Sequence, residues 1–238
     1  MDLTAALRQA RSTEERYEFI RRYVTEWLGV PLQDWYGYTE RELCKAEELL
    51  GVRLPPAVRD FYLMLGRRRE LTGNQDQVVP PGWEDESAQV LVFRVENQHC
   101  AEWGIPAHLL HLADPPVWYW ANGAPGEPEP WRPFLESFSL AAVEIVLSES
   151  LFADHGLCDN REWDEDAGRA LRERYERLPI PAYPAWWATS DEPPIRWYAG
   201  PDVILREDAE QWVWVRARTA RALRSAREAL LGEWNLDR

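Results

Sequence analysis

Residues 89–104 read QVLVFRVENQHCAEWG, and the fold turns on how this run is divided. The first seven residues are almost continuously apolar, the pattern of a strand covered on both faces rather than one that alternates toward water. The remainder, VENQHCAEWG at 95–104, then reads as a strand end and its turn. It sets a histidine, a cysteine and two glutamates within a few residues of one another, so it also poses a chemical question.

Working outward, VWYW at 117–120 reads as another strand. The segment ANGAPGEPEPWRP at 121–133 is neither helix nor central strand, because proline cannot donate to a ladder. A long apolar helix from about Ser137 to Phe152 follows. Upstream, residues 67–88 are polar and rich in turn formers and read as a long loop, with Glu84, Asp85 and Glu86 beside Trp83; long loops in compact domains are often functional. Three helices are expected before it. Ser12 with Glu15 forms a capping-box pattern ahead of Tyr17, Ile20, Val24, Trp27 and Leu28, ended by Gly29 and Pro31. Thr39 with Glu42 repeats the pattern, and Gly51 takes the left-handed cap position. LPPAVRDFYLMLG, at 54–66, opens on prolines tolerated in a first turn and carries an apolar stripe.

Past residue 160, Asp164 or Asp166 caps a short helix with Leu171, Tyr175 and Leu178 on one face; the proline-rich PIPAYPAWW follows at 179–187. IRWYAGPDVILREDAEQWVWVRART, 195–219, then reads as three short strands, and a helix over about 218–231 ends the pattern. Trp212 and Trp214 fall on one side of the last strand and Val213 and Val215 on the other, so both faces are expected to be covered. Helices and strands are segregated rather than alternating, which gives an α+β class.

The whole composition is that of a globular, soluble chain. Of 238 residues 45% are hydrophobic and 29% charged, which places it outside the disordered class despite its acidity. The first thirty residues carry ten charges and no later window approaches a membrane span, so a cytoplasmic protein is expected. Cys44, Cys100 and Cys158 are odd in number and widely spaced, which suits a reducing compartment rather than a disulfide framework. Net charge is −14, and it is uneven: residues 31–160 hold nine basic and 21 acidic side chains. That field repels nucleic acid and steers a basic partner inward.

The reactive residue types yield no catalytic arrangement. His99, Cys100, His108 and His111 match no familiar zinc spacing, and neighbours on an extended strand point to opposite faces. Cys100 needs a base that the sequence does not place, and a free cysteine beside a buried strand reads as a small hydrophobe. Fourteen tryptophans suggest carbohydrate stacking, with Trp186 and Trp187 the exposed pair, but most of the others sit at inward-alternating positions where packing accounts for them. Arg218, Arg221, Arg224 and Arg227 recur every three residues; in so acidic a protein they read as a solvated face or as partners of its own carboxylates. Phosphate loops, GxSxG elbows and HExxH are absent. No metal or other cofactor is expected.

AEELLGVRLPPAVRDFYLMLG with Glu47, Leu50, Gly51, Leu54 and Pro55, then ENQHCAEWGI with Asn97, Gln98, Trp103 and Gly104, then DPPVWYW with Pro115, Pro116 and Val117, together resemble the SUKH superfamily. This group includes fungal regulators of cell-wall assembly and bacterial immunity proteins. The resemblance spans about residues 38–152. It implies helices packed on a mixed, largely antiparallel sheet and no enzymatic activity. It further implies that Glu47–Pro55 is a cap and turn between helices, and that the stretch from Asn97 to Trp103 is a strand end with its turn. The expected organisation is a SUKH-like domain at 1–155, N-terminal helices included, and a strand-and-helix extension at 156–238 packed on it. The expected function is immunity: binding and occluding a cognate, basic protein toxin of a polymorphic-toxin system, with a multi-partner regulatory scaffold as the alternative and neither nucleic acid nor membrane as a partner. The residues expected to make the contact are Trp83, Glu84, Asp85 and Glu86 in one loop and Glu127, Glu129 and Trp131 in the other, tryptophan as desolvated anchor and carboxylates as complement.

Overall fold

A computed structural model describes residues 1–33, 36–83, 89–122, 130–153, 156–188 and 192–235, with the side chain of Trp83 left out. The chain divides into two compact units: a terminal unit of 1–30 with 150–238, and a middle unit of 31–149. The class is α+β, with two five-stranded sheets.

The chain opens with α1 (Leu3–Gln9) and α2 (Thr13–Arg22). The Ser12/Glu15 capping box forms, and a π-helical turn, Tyr23–Trp27, carries α2 onward. These helices group with the C-terminal residues rather than with the middle of the chain. The Tyr23 hydroxyl lies 2.7 Å from Ser150 Oγ, and Arg218 donates to the carbonyls of Glu26 and Trp27. The expected division at about residue 155, with the N-terminal helices in the first domain, therefore differs from the observed one; long-range polar contacts of this kind leave no trace in local periodicity.

In the middle unit, α3 (Glu40–Leu50) starts on the Thr39/Glu42 capping box and stops at Gly51, φ 71°. Buried Glu47 accepts from Leu54 N–H, Arg53 and Arg59, each at 3.0 Å. Burial alone raises its carboxyl, but these donors outweigh it and hold it below the ordinary value. That carboxylate pins the turn into α4 (Pro56–Leu65). Residues 67–88, expected as loop, contain a short α5 (Arg69–Thr72) and β1 (Gln77–Trp83). β2 (Val90–Val95), β3 (Ala101–Pro106), β4 (Val117–Ala121) and β5 (Arg132–Leu135) complete a meander in the order β1-β2-β3-β4-β5, and every pairing is antiparallel.

An irregularity between Val92 and Arg94 sets Phe93 and Arg94 together against Trp103. It turns a charged side chain inward. Arg94 donates to Glu144 at 2.8 Å, to Asp76 at 2.7 Å and to Glu149 at 3.5 Å, and its guanidinium lies 4.5 Å from the Trp103 ring centroid. Glu144 and Glu149 belong to α6 (Phe138–Leu151), a mostly apolar helix that is buried at every position. Phe138 packs edge-on to Phe93 and Phe61, which joins α6, β2 and α4 in one core.

The terminal unit resumes with β6 (Cys158–Glu162), α7 (Glu165–Arg174) capped by Asp164, β7 (Glu176–Arg177), β8 (Arg196–Gly200), β9 (Val203–Asp208), β10 (Trp212–Ala217) and α8 (Ala220–Ala229). The sheet order is β6-β10-β9-β8-β7. Val213, Val215 and Ala217 pack with Leu171 of α7 and Leu223 and Ala226 of α8. On the other face Arg206 lies 5.5 to 5.9 Å from the ring centroids of Phe152, Trp197 and Trp214.

Candidate partner-binding face

The hairpin between β2 and β3 answers the chemical question. The carboxylate of buried Glu96 turns back on its own loop and accepts from the N–H groups of Gln98 (2.7 Å) and Cys100 (3.2 Å). The N–H of Glu96 donates to Ala101 O and that of His99 to Glu96 O. His99 takes a left-handed backbone, φ 57°, which fits a tight turn and leaves its ring exposed. Asn122 then ties the end of β4 to this turn, donating to the carbonyls of Cys100 and His99. His108 and His111, both exposed, follow the far end of β3. The four reactive residues are thus split between opposite ends of one strand, and among the described residues no group of three or more His, Cys, Asp and Glu is arranged to hold a metal ion. Cys44 is exposed on α3. Cys158 is buried on β6, with Arg216 Nη1 at 3.2 Å from its sulfur.

Of the residues expected to meet a partner, Glu84, Asp85, Glu86, Glu127 and Glu129 lie outside the described residues. Trp83 ends β1 in register with Leu91, and Trp131 stands immediately before β5. The register separates them. β1 and β5 are opposite edges of the sheet, and the end of β1 lies with the start of β2, whereas the start of β5 lies with the end of β4. The two expected contact segments therefore join the sheet at opposite ends as well as at opposite edges.

What Trp131 does join is a surface that the sequence reading assigned to packing. Along β4 burial alternates: Val117 and Tyr119 are buried, Trp118 and Trp120 half-buried. On the first side Tyr119 and Trp103 pack on Phe134. On the second, Trp120 stands across from Glu102 and Trp118 across from Gly104 and Pro133. Gly104 is the floor of this side. A Cβ there would stand 2.5 Å from Val90 Cγ1 and 3.3 Å from Trp131 Cη2, so only glycine lets the Trp131 ring settle over β3. Trp118, Trp120, Trp131 and Glu102 thus share the less buried face of the sheet, all four of intermediate exposure. The tryptophan-x-tryptophan spacing in VWYW was the available signal; reading tryptophan as core by default concealed it.

The other surface features are less organised. Trp187 is exposed and Trp186 half-buried. In the arginine stripe, Arg227 pairs with Asp159 and Arg218 with Asp202, while Arg221 and Arg224 are exposed. Charge is concentrated elsewhere: the middle unit carries nine basic and 19 acidic residues, a formal −10 of the chain's −14. Among the described residues no helix is long and apolar enough to cross a membrane. Compared with protein-family models, curated proteins and solved structures, the chain matches none.

Proposed function

We propose that this chain is a non-enzymatic immunity protein of the cytoplasm, which binds a cognate basic toxin and occludes it through the acidic middle unit. The observation that carries the reading is the −10 formal charge on residues 31–149. A nuclease toxin needs a basic cleft to hold phosphate, and a compact acidic surface competes for that cleft and accelerates encounter. The SUKH resemblance of residues 38–152 supports the same reading. Two of its motif segments carry backbone structure here: Glu47–Pro55 a helix cap and turn, and Asn97–Gly104 a hairpin whose turn amides of Gln98 and Cys100 donate to Glu96.

The test is co-expression with the product of the neighbouring gene, scored by growth and by co-purification. Rescue accompanied by a stable complex is expected. Rescue without a complex, or a toxin inactivated catalytically by substoichiometric amounts of this chain, overturns occlusion, and failure to rescue any neighbouring toxin overturns the immunity reading.

A further inference from the structure

We infer that the less buried face of the first sheet, formed by Trp118, Trp120, Trp131 and Glu102, is where a basic polypeptide segment docks, with arginine or lysine side chains laid against the tryptophan rings. The inference rests on the proposal that the middle unit binds a basic protein, and it says where and through which groups.

Three observations favour this face. First, alternation along β4 buries Val117 and Tyr119 yet leaves Trp118 and Trp120 half-exposed, so two large rings stand on one side of one strand. Second, Trp131 reaches that side from β5 over Gly104, where a Cβ would meet Val90 and the Leu91 carbonyl, so the glycine floor seats the third ring. Third, Glu102 stands in register with Trp120, which puts an acidic residue and a tryptophan on the same side of neighbouring strands. Aromatic faces attract guanidinium and ammonium groups, and an acidic residue on the same side of the sheet adds to the attraction for a cation. The surrounding unit, with ten more acidic than basic residues, selects a basic occupant over a neutral or acidic one. Rigid tryptophans that are already partly desolvated lose little entropy on contact, which is the usual character of an energetic anchor.

The probe is a fluorescein-labelled dodecapeptide of alternating arginine and glycine, titrated with the full chain by fluorescence anisotropy. Saturable binding is expected. Trp120→Ala is expected to weaken it about tenfold and Glu102→Gln about threefold, the sizes typical of a cation–π anchor and a rim charge. Glu48→Gln removes the same unit of charge from an exposed position on α3 rather than on a strand of this face and is expected to change affinity less than twofold. Hydroxyl-radical footprinting of the unmodified chain, which needs no variant to fold, should show protection at Trp118 and Trp120. Absence of saturable binding, equal effects of Glu48→Gln and Glu102→Gln, or no protection of the two tryptophans overturns the docking face. The two readings fail separately. Growth rescue that survives Trp120→Ala removes the face and leaves immunity standing, whereas localised peptide binding by a chain that rescues no toxin does the reverse.

Discussion

Arg94 of the first sheet and Arg206 of the second are both buried, and the two are accommodated by different chemistry. Arg94, in the middle unit, meets three carboxylates, Asp76, Glu144 and Glu149, and one ring, Trp103. Arg206, in the terminal unit, meets three rings, Phe152, Trp197 and Trp214, and donates to the Asp208 carboxylate at 2.8 Å. Burial works against the charge on Arg94, but its three carboxylates outweigh that and hold the guanidinium above its ordinary value. The cluster nonetheless carries more negative than positive charge, and backbone donors answer the excess: Glu149 accepts from the N–H groups of Asn74, Gln75 and Asp76 at 2.6 to 3.1 Å. One ion cluster thus fastens a loop to a helix and a strand, whereas the other arginine is lodged between side chains of its own sheet and Phe152.

The comparison sets an order of effects. Arg94→Met leaves three buried carboxylates without their shared cation and is expected to cost about 4 kcal/mol, since removing one partner of a buried ion pair costs roughly 3–5 kcal/mol. Urea unfolding measures it, and Glu144→Gln in the same chain should recover part of the loss. A cost under about 1 kcal/mol would mean that the backbone donors carry the cluster alone. Arg206→Met fills the same space among the rings and takes the cation from Asp208, so about 2 kcal/mol is expected, in part recovered by Asp208→Asn. If the two methionine variants cost the same, counting carboxylates is the wrong way to rank these sites.

Much of this architecture was legible in the sequence, and what was not has identifiable causes. Both capping boxes, the left-handed Gly51, the proline start of α4, the apolar α6 and the three strands β8 to β10 all announce themselves through local rules. β3 was hidden because Gly104 and Pro106 interrupt its period, yet Gly104 is there to admit Trp131. β6 was hidden because CDNRE reads as polar; its Asp159 and Arg161 are buried all the same, by Arg227 and by the carbonyls of Leu230 and Leu231. The Arg94 cluster depends on residues up to 75 apart, and no window shows that. For the candidate face, the sequence supplied Trp131 and the acidic field but not Trp118, Trp120 or Glu102, because exposure of one side of a strand is decided by what the rest of the chain covers.

A smaller change sharpens the contrast further. Arg206→Lys keeps the charge but gives up the flat guanidinium that lies among three rings, and about 1 kcal/mol is expected. Arg94→Lys also keeps the charge, and its carboxylates attract an ammonium nearly as well as a guanidinium. The geometry of the forked donors is lost at both sites, so the informative quantity is the fraction of the methionine penalty that lysine restores. That fraction should be larger at 94, where charge dominates, than at 206, where shape does; the reverse ranking by urea unfolding would break the comparison.

The smallest expected effect concerns pH, and it runs in opposite directions in the two units. Burial pushes the Glu149 carboxyl above its ordinary value, against Arg94 and the amides of Gln75 and Asp76. A carboxyl raised on folding binds its proton more tightly in the folded state, so its stabilising contribution is complete below the unfolded value, about 4.3, and is lost as pH rises through the folded one. Asp164, the cap of α7, behaves conversely. The Ala167 N–H, then Arg161, hold it below its ordinary value, so its contribution is present above the unfolded value and lost as pH falls through the folded one. Glu149→Gln should therefore make stability rise more steeply with pH from about 4 toward neutrality, and Asp164→Asn should flatten it at the acid end. Urea midpoints across that range separate the two, and a Glu149→Gln profile that is less steep than the parent's would show that Arg94, and not burial, sets that carboxyl.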